Sequence, residues 1–290
     1  MGSRGQSRGV VLAAAMLAAG AATMPRGAWG QASAIPSAAA PAATAEGEKE
    51  KGAALLEEMV DALGGDSWLV RHDAEIDGKL ATFFHGQPNP GVIHFKLYHQ
   101  FADGSHPEGE RIEFATPRML LHGEIRDIVQ VWTTDNGYEI TFKGKTPLPK
   151  EQVEDYLRRR AHSIENVMRT WVKQPGVMIV YEGPSMVDRH LTDKVTVLSA
   201  NNDAVTIELD QTTHLPLSRS FRWRNTTFKD YDEDVETYDD YHPVQGMQTA
   251  LTITRYRNGD MANQRFYTKV TYNQGLSQGL FNPDNLLKKK

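Results

Sequence analysis

The run AVTIELDQTTHLPLSRSFRWR at residues 204–224 decides how this chain is read. Val205, Ile207 and Leu209 fall on one side of an extended chain, and Thr206, Glu208 and Asp210 on the other. After Leu215-Pro216, Leu217, Phe221 and Trp223 alternate with Ser218, Ser220, Arg222 and Arg224. The same period of two returns in Leu251 and Ile253, and again around Phe266, Val270 and Tyr272. One apolar face at that period means a half-buried antiparallel sheet. Pro243-Val244-Gln245-Gly246 and Asn258-Gly259-Asp260 separate the runs, and Asn-Gly between alternating segments signals a tight hairpin. Such a sheet needs its apolar face covered, by protein or by a ligand.

Upstream, Leu55, Leu56, Met59, Val60 and Leu63 make a helical stripe over about Glu48 to Leu63, stopped by Gly64-Gly65. Strands are expected within Trp68 to Phe84, Val92 to Phe101, Arg111 to Ala115, Met119 to His122, Ile125 to Thr133 and Tyr138 to Phe142. A long amphipathic helix follows from Pro149 to about Lys173, ended by Gln174-Pro175-Gly176. Strands resume at Val177 to Tyr181, Met186 to Arg189 and Lys194 to Ser199. The layout is helix, about five strands, long helix and about six strands. That predicts an α+β fold on an antiparallel sheet.

The N-terminus carries Arg4 and Arg8, then an uncharged apolar run from Val10 to Met24, then small residues around Ala28 to Ala34. This is the pattern of a secretory signal peptide over residues 1–34. An Ala/Pro-rich linker over residues 35–47 and a single domain over 48–290 are expected after it. About 250 residues then remain, enough for one large β-rich domain. The leader holds Arg4, Arg8 and Arg26 and no acid, so its loss takes the formal charge from −5 to −8. An acidic chain speaks against nucleic acid and gives no pull toward anionic lipid. The chain has no cysteine, hence neither a disulfide nor the thiol of a lipoprotein anchor. A free, soluble, monomeric periplasmic protein is the expectation.

Residues that carry chemistry are sparse. His94 and His99 sit an odd number of residues apart in one strand, so they face opposite ways. His162 and Glu165 share a helix face at i and i+3, but two ligands do not make a metal site. Ser105-His106 lies in a turn, and no Gly-x-Ser-x-Gly elbow exists. The acidic run Asp230, Asp232, Glu233, Asp234, Glu236, Asp239 and Asp240 contains no glycine, unlike a calcium loop, and reads as a solvated outer strand face. Neither a catalytic group, a cofactor nor a metal is expected. Phe221, Trp223, Leu251, Ile253, Phe266 and Val270 fall on one side by alternation. They form either core or the lining of a ligand cavity.

Several phrases resemble the LolA-like family of outer-membrane lipoprotein-sorting proteins and periplasmic lipid carriers. They are Ile207-Glu208-Leu209-Asp210 with Leu215-Pro216, Asp240-Tyr241-His242-Pro243-Val244-Gln245-Gly246, and Val270-Thr271-Tyr272-Asn273 with Phe281-Asn282-Pro283. The leading helix ending in Gly-Gly and the pair Val131-Trp132 fit as well, so the likeness runs from about Lys51 to Asp284. It implies an open antiparallel half-barrel with helices at its concave side. It further implies a lipid, or the acyl chain of a lipoprotein, as ligand at the six residues above. No docking element for a lipoprotein-releasing transporter is recognisable. The alternative is an envelope stress sensor or scaffold that holds a protein partner in the same half-barrel.

Overall fold

The structure is a computed structural model and describes residues 43–117, 124–225 and 227–285. The expected leader, the strand over Met119 to His122 and the basic tail lie outside these residues. A helix, α1 (Ala43–Leu63), comes first and begins five residues before Glu48. All five residues of its expected stripe are buried. Gly64 ends it in a left-handed conformation with Met247 close by, so a Cβ there would meet both strain and contact. Trp68, expected in a strand, sits instead in a one-turn helix, α2 (Asp66–Leu69).

The strands are β1 (Asp73–Phe84), β2 (Gln87–Pro88), β3 (Ile93–Gln100), β4 (Gly109–Pro117), β5 (Glu124–Trp132), β6 (Gly137–Thr141) and β7 (Gly144–Pro147). After the helical crossover come β8 (Met178–Val187), β9 (His190–Leu198), β10 (Ala204–Asp210), β11 (Pro216–Arg224), β12 (Tyr231–Val244), β13 (Met247–Arg257) and β14 (Asp260–Tyr272). Among the described residues they form one antiparallel sheet of fourteen strands, more than the eleven expected. The surplus includes β2 and β7, which are too short for alternation to register. The sheet order is 7-6-5-4-3-1-14-13-12-11-10-9-8, with β2 paired to β1 alone. The chain thus starts in the middle, winds out to β7, crosses to β8 and winds back until β14 closes against β1. Among the described residues its two end strands, β7 and β8, do not pair, so the half-barrel is open.

Asn258 and Gly259 both take positive φ between the paired residues Arg257 and Asp260, which is the hairpin turn their sequence signals. The crossover differs from expectation. It is broken into α3 (Lys150–Ala161), α4 (Ile164–Arg169) and a short 3-10 turn over Trp171–Lys173. Ser163 causes the break: its side chain accepts the Asn166 N–H and caps a new helix. The main core lies where α1 and α4 meet the sheet. It joins Met59 and Val167 to Val195, Val197, Val205, Ile207 and Leu209, all fully buried. Elsewhere Tyr156 of α3 stacks on Trp132 of β5 with ring centroids 4.0 Å apart. No helix among the described residues is long and apolar enough to cross a membrane.

Candidate functional site

Alternation on β11 to β14 places one set of side chains beneath the helices, and that set is largely ionic. On β12 it is Asp232, Asp234 and Glu236. Opposite them stand Trp223, Phe221 and Arg219 of β11, while Glu236 also pairs with Arg255 of β13. This corrects the reading of the acidic run as a solvated outer face at Asp232, Asp234 and Glu236, while Asp230, Asp239 and Asp240 are exposed as expected. Asp234 is 0% exposed, whereas its neighbour Glu233 faces water. The alternation was there to be read, but the facing strands supply arginines at matching positions, and pairing across strands is not visible in one sequence.

The result is an alternating string of acids and bases. Asp232 binds Arg257 at 2.9 Å, and Arg257 binds Asp155 of α3 at 3.0 Å. Asp155 binds Arg255 at 3.1 Å, and Arg255 binds Asp234 at 2.7 Å. Asp234 binds Arg219 at 3.1 Å, Arg219 binds Glu236 at 2.8 Å, and Glu236 binds Arg265 of β14 at 2.6 Å. Arg159 of α3 joins at Asp155, 3.1 Å away. Five guanidiniums thus face four carboxylates. Burial alone would raise the Glu236 carboxyl, but Arg219 and Arg265 outweigh it and hold it well below the usual range. Asp155 is likewise lowered, because Arg159, Arg255 and Arg257 outweigh its desolvation. Ions this deep are costly alone and tolerable only as a matched set.

Beside this string lies a cavity of about 280 Å³ between the sheet and α2 to α4. One part of its wall is apolar, with Leu63, Ile76, Leu97, Ile164 and Ile253. The rest is polar: six arginines, four glutamates and five tyrosines reach it. Burial pushes the Tyr267 phenol up to about 12, so it stays neutral at physiological pH. A second ionic group lies at the α2 and α4 end. Arg71 is 4% exposed, donates to the Trp68 carbonyl at 2.6 Å and pairs with Glu165 at 2.8 Å. Arg169 donates to the carbonyls of Arg71 and Trp68 at 2.8 and 3.4 Å. The guanidiniums of both lie over the Phe101 ring.

Of the six residues placed together by alternation, Ile253 alone lines this cavity. Phe221 is core, stacked at 4.2 Å on His162 and at 5.3 Å on Trp223. Trp223 is half-buried between the guanidiniums of Arg158 and Arg257. Val270 is buried in the main core, and Leu251 packs against its margin. Phe266 is on the opposite face and 36% exposed. The cause is a bulge: Asp77 and Gly78 pair with Lys269 and Tyr267, which leaves Thr268 as an extra residue and inverts the alternation before it. Gly78 was the available signal. A Cβ on it would stand 2.6 Å from the Phe95 ring and 2.8 Å from the Phe266 carbonyl.

The histidines separate as well. His162 and Glu165 are split by the helix break. His162 Nε2 lies 3.1 Å from Asp203, and Glu165 goes to Arg71. His99 reaches the cavity and contacts Glu108 at 3.2 Å. Among the described residues no group of three or more His, Asp or Glu is placed to hold a metal ion.

No protein-family model matches the chain, and no curated protein matches it. Solved structures do share its fold. A DUF1329 family protein from Desulfovibrio piger aligns with a TM-score of 0.54 and 12% identity, over 81% of this chain and 97% of that one. An outer membrane lipoprotein-sorting type domain from Vibrio parahaemolyticus aligns with a TM-score of 0.54 and 13% identity, over 83% of this chain and all of the other. The open half-barrel expected from the motifs is therefore the fold of this chain.

Proposed function

We propose that the protein is a periplasmic, non-enzymatic carrier or binding protein that takes an acyl chain, of a lipid or of a lipoprotein, into its half-barrel. The cavity of about 280 Å³ carries this reading, because it is a cleft between the sheet and the helices, open to solvent on one side, with an apolar stretch in its wall. Each methylene buried there contributes ~0.8 kcal/mol, so a single chain gives useful affinity without any chemistry. The volume is at the small end for ligand pockets, which run from roughly 300 Å³ upward. One chain fits that space better than a multi-chain lipid, which would require α3 and α4 to move. The fold shared with a domain of lipoprotein-sorting type supports the same reading. Export by cleavage between Gly30 and Ile35, with a short linker running into α1, belongs to it.

Titrating the delipidated protein with a fluorescent fatty acid tests it. Saturable binding is expected, and Ile253→Trp, which fills the cavity, should abolish it while the urea midpoint stays near wild type. Absence of binding, or binding indifferent to Ile253→Trp, would refute the carrier reading. A second reading, a protein partner, draws on β8. This strand ends the sheet, and it exposes Met178 by 51% and Met186 by 63%. Pro184 and the irregularity at Tyr181 to Gly183 blunt this edge for strand addition, so a partner would pack on the exposed methionines instead. A polypeptide co-purifying at one-to-one stoichiometry would favour it.

A further inference from the structure

The cavity is unevenly charged. Its wall holds Arg71, Arg159, Arg160, Arg169, Arg219 and Arg265 against Glu108, Glu110, Glu165 and Glu236, while Arg159 and Arg219 also pair with Asp155 and Asp234 just outside it. Along the string of ion pairs each of the five guanidiniums has at least one carboxylate partner. At the α2 and α4 end that is not so. Arg71 has one carboxylate, Glu165, and Arg169 has only backbone carbonyls within hydrogen-bonding distance among the described residues. Both retain a buried Nε–H that meets no acceptor among the described residues, as do Arg219 and Arg265 in the string. Buried donors are normally satisfied, and two adjacent guanidiniums with spare donors and one carboxylate between them make a poor resting state. Arg169 shows the strain: burial, and then the charge of Arg71, lower it to about 10. The aromatic floor of Phe101 and Trp68 holds the pair in place.

We infer that Arg71 and Arg169 seat an anionic group, a carboxylate or a phosphate, with the ligand's acyl chain lying along Leu63, Ile76, Leu97 and Ile164. This rests on the carrier reading and adds the class of headgroup to it. The shape of the wall fits the assignment, since the apolar side chains and the arginine pair border one continuous space. An anion there would give the Arg71 and Arg169 guanidiniums a second negative partner beside Glu165. Bonds from a guanidinium to an oxyanion are charge-assisted and stronger than neutral ones. The ligand class is then a single-chain acid amphiphile rather than a neutral glyceride or alcohol.

The test is calorimetric titration of the delipidated full mature chain with decanoate, decyl phosphate, decanol and inorganic phosphate. The two acid amphiphiles should bind at least about tenfold tighter than decanol, the discrimination that charge-assisted hydrogen bonds supply. Arg169→Gln should erase that preference, with decanol affinity and the urea midpoint measured in the same variant to separate loss of the seat from loss of the hydrogen bonds to the Arg71 and Trp68 carbonyls. Arg169→Lys should restore part of it, because the charge returns without the planar fork. Equal binding of decanoate and decanol, unchanged in Arg169→Gln, would overturn the anion seat and leave the carrier reading standing. Inorganic phosphate binding as tightly as decyl phosphate, and lost in Arg169→Gln, would uphold the seat and refute the acyl-chain reading. Failure of every probe to bind would overturn both.

Discussion

Asp234→Ala and Glu233→Ala are adjacent substitutions on β12, identical in kind, and the structure assigns them opposite consequences. Asp234 is 0% exposed and accepts from Arg219 Nη1 at 3.1 Å and Arg255 Nε at 2.7 Å. Without it, Arg219 keeps only Glu236, already shared with Arg265, and Arg255 keeps only Asp155, already shared with Arg159 and Arg257. Five guanidiniums would then face three carboxylates, with Arg219 and the vacated position itself fully buried. Removing one partner from a buried ionic group costs ~3–5 kcal/mol. That is a large part of the ~5–15 kcal/mol that holds an ordinary domain together. Glu233 meets only Arg222, at 3.9 Å, and both are exposed, so its loss should lie within ~0.5 kcal/mol of wild type. Urea unfolding followed by tryptophan fluorescence, with the m-value held constant, reads the difference. The double variant Asp234→Leu with Arg219→Met removes one charge of each sign and should recover much of the loss. Equal, small effects at positions 233 and 234 would mean the acidic run is a solvated face after all, and the register of β12 would be wrong.

Three further outcomes follow from the same geometry. Stability should fall with acid. The folded pKa of Glu236 is depressed, so its contribution is complete above its unfolded value of ~4.3 and is lost as pH drops through the lower folded value. Urea midpoints from pH 7 down to 3 should decline in wild type and decline less steeply in Glu236→Gln. Phe221→Ala should cost ~3–5 kcal/mol and leave fatty-acid binding unchanged, because Phe221 is packed on His162 and Trp223 rather than facing the cavity. Ser163→Ala should cost ~1 kcal/mol through loss of the α4 cap, measured by the same melts.

The sequence carried the fold further than the site, for physical reasons that particular residues show. Periodicity is a property of one segment, so the α1 stripe from Leu55 to Leu63 and the alternation of Val205, Ile207 and Leu209 were legible, and all are buried. Turn chemistry is just as local, and Asn258-Gly259 sits where its positive φ is needed. Local rules fail where one residue changes the phase. Thr268 as an extra residue sends Phe266 to the far face, and Ser163 divides a helix whose apolar spacing looks continuous. The site itself is a matter of pairing. Asp232, Asp234 and Glu236 carry the spacing of an inward face as plainly as any valine. Their inward direction depends on Arg219, Arg255, Arg257 and Arg265 arriving from three other strands. Arg71 and Arg169 are 98 residues apart and adjacent only in the fold. Ile253 lines the cavity while Leu251, two residues away on the same face of the same strand, packs at the margin of the core, a difference in position along β13 that alternation does not carry.

The claim at the centre of this account is that the half-barrel holds an acyl chain. Native mass spectrometry of the protein purified from its own envelope, followed by organic extraction and mass analysis of the extract, tests it most directly. The account predicts a mature chain beginning between Gly30 and Ile35, carrying one single-chain acidic amphiphile that leaves on extraction. A ligand-free chain, or one bound only to a stoichiometric polypeptide with no extractable lipid, would contradict it.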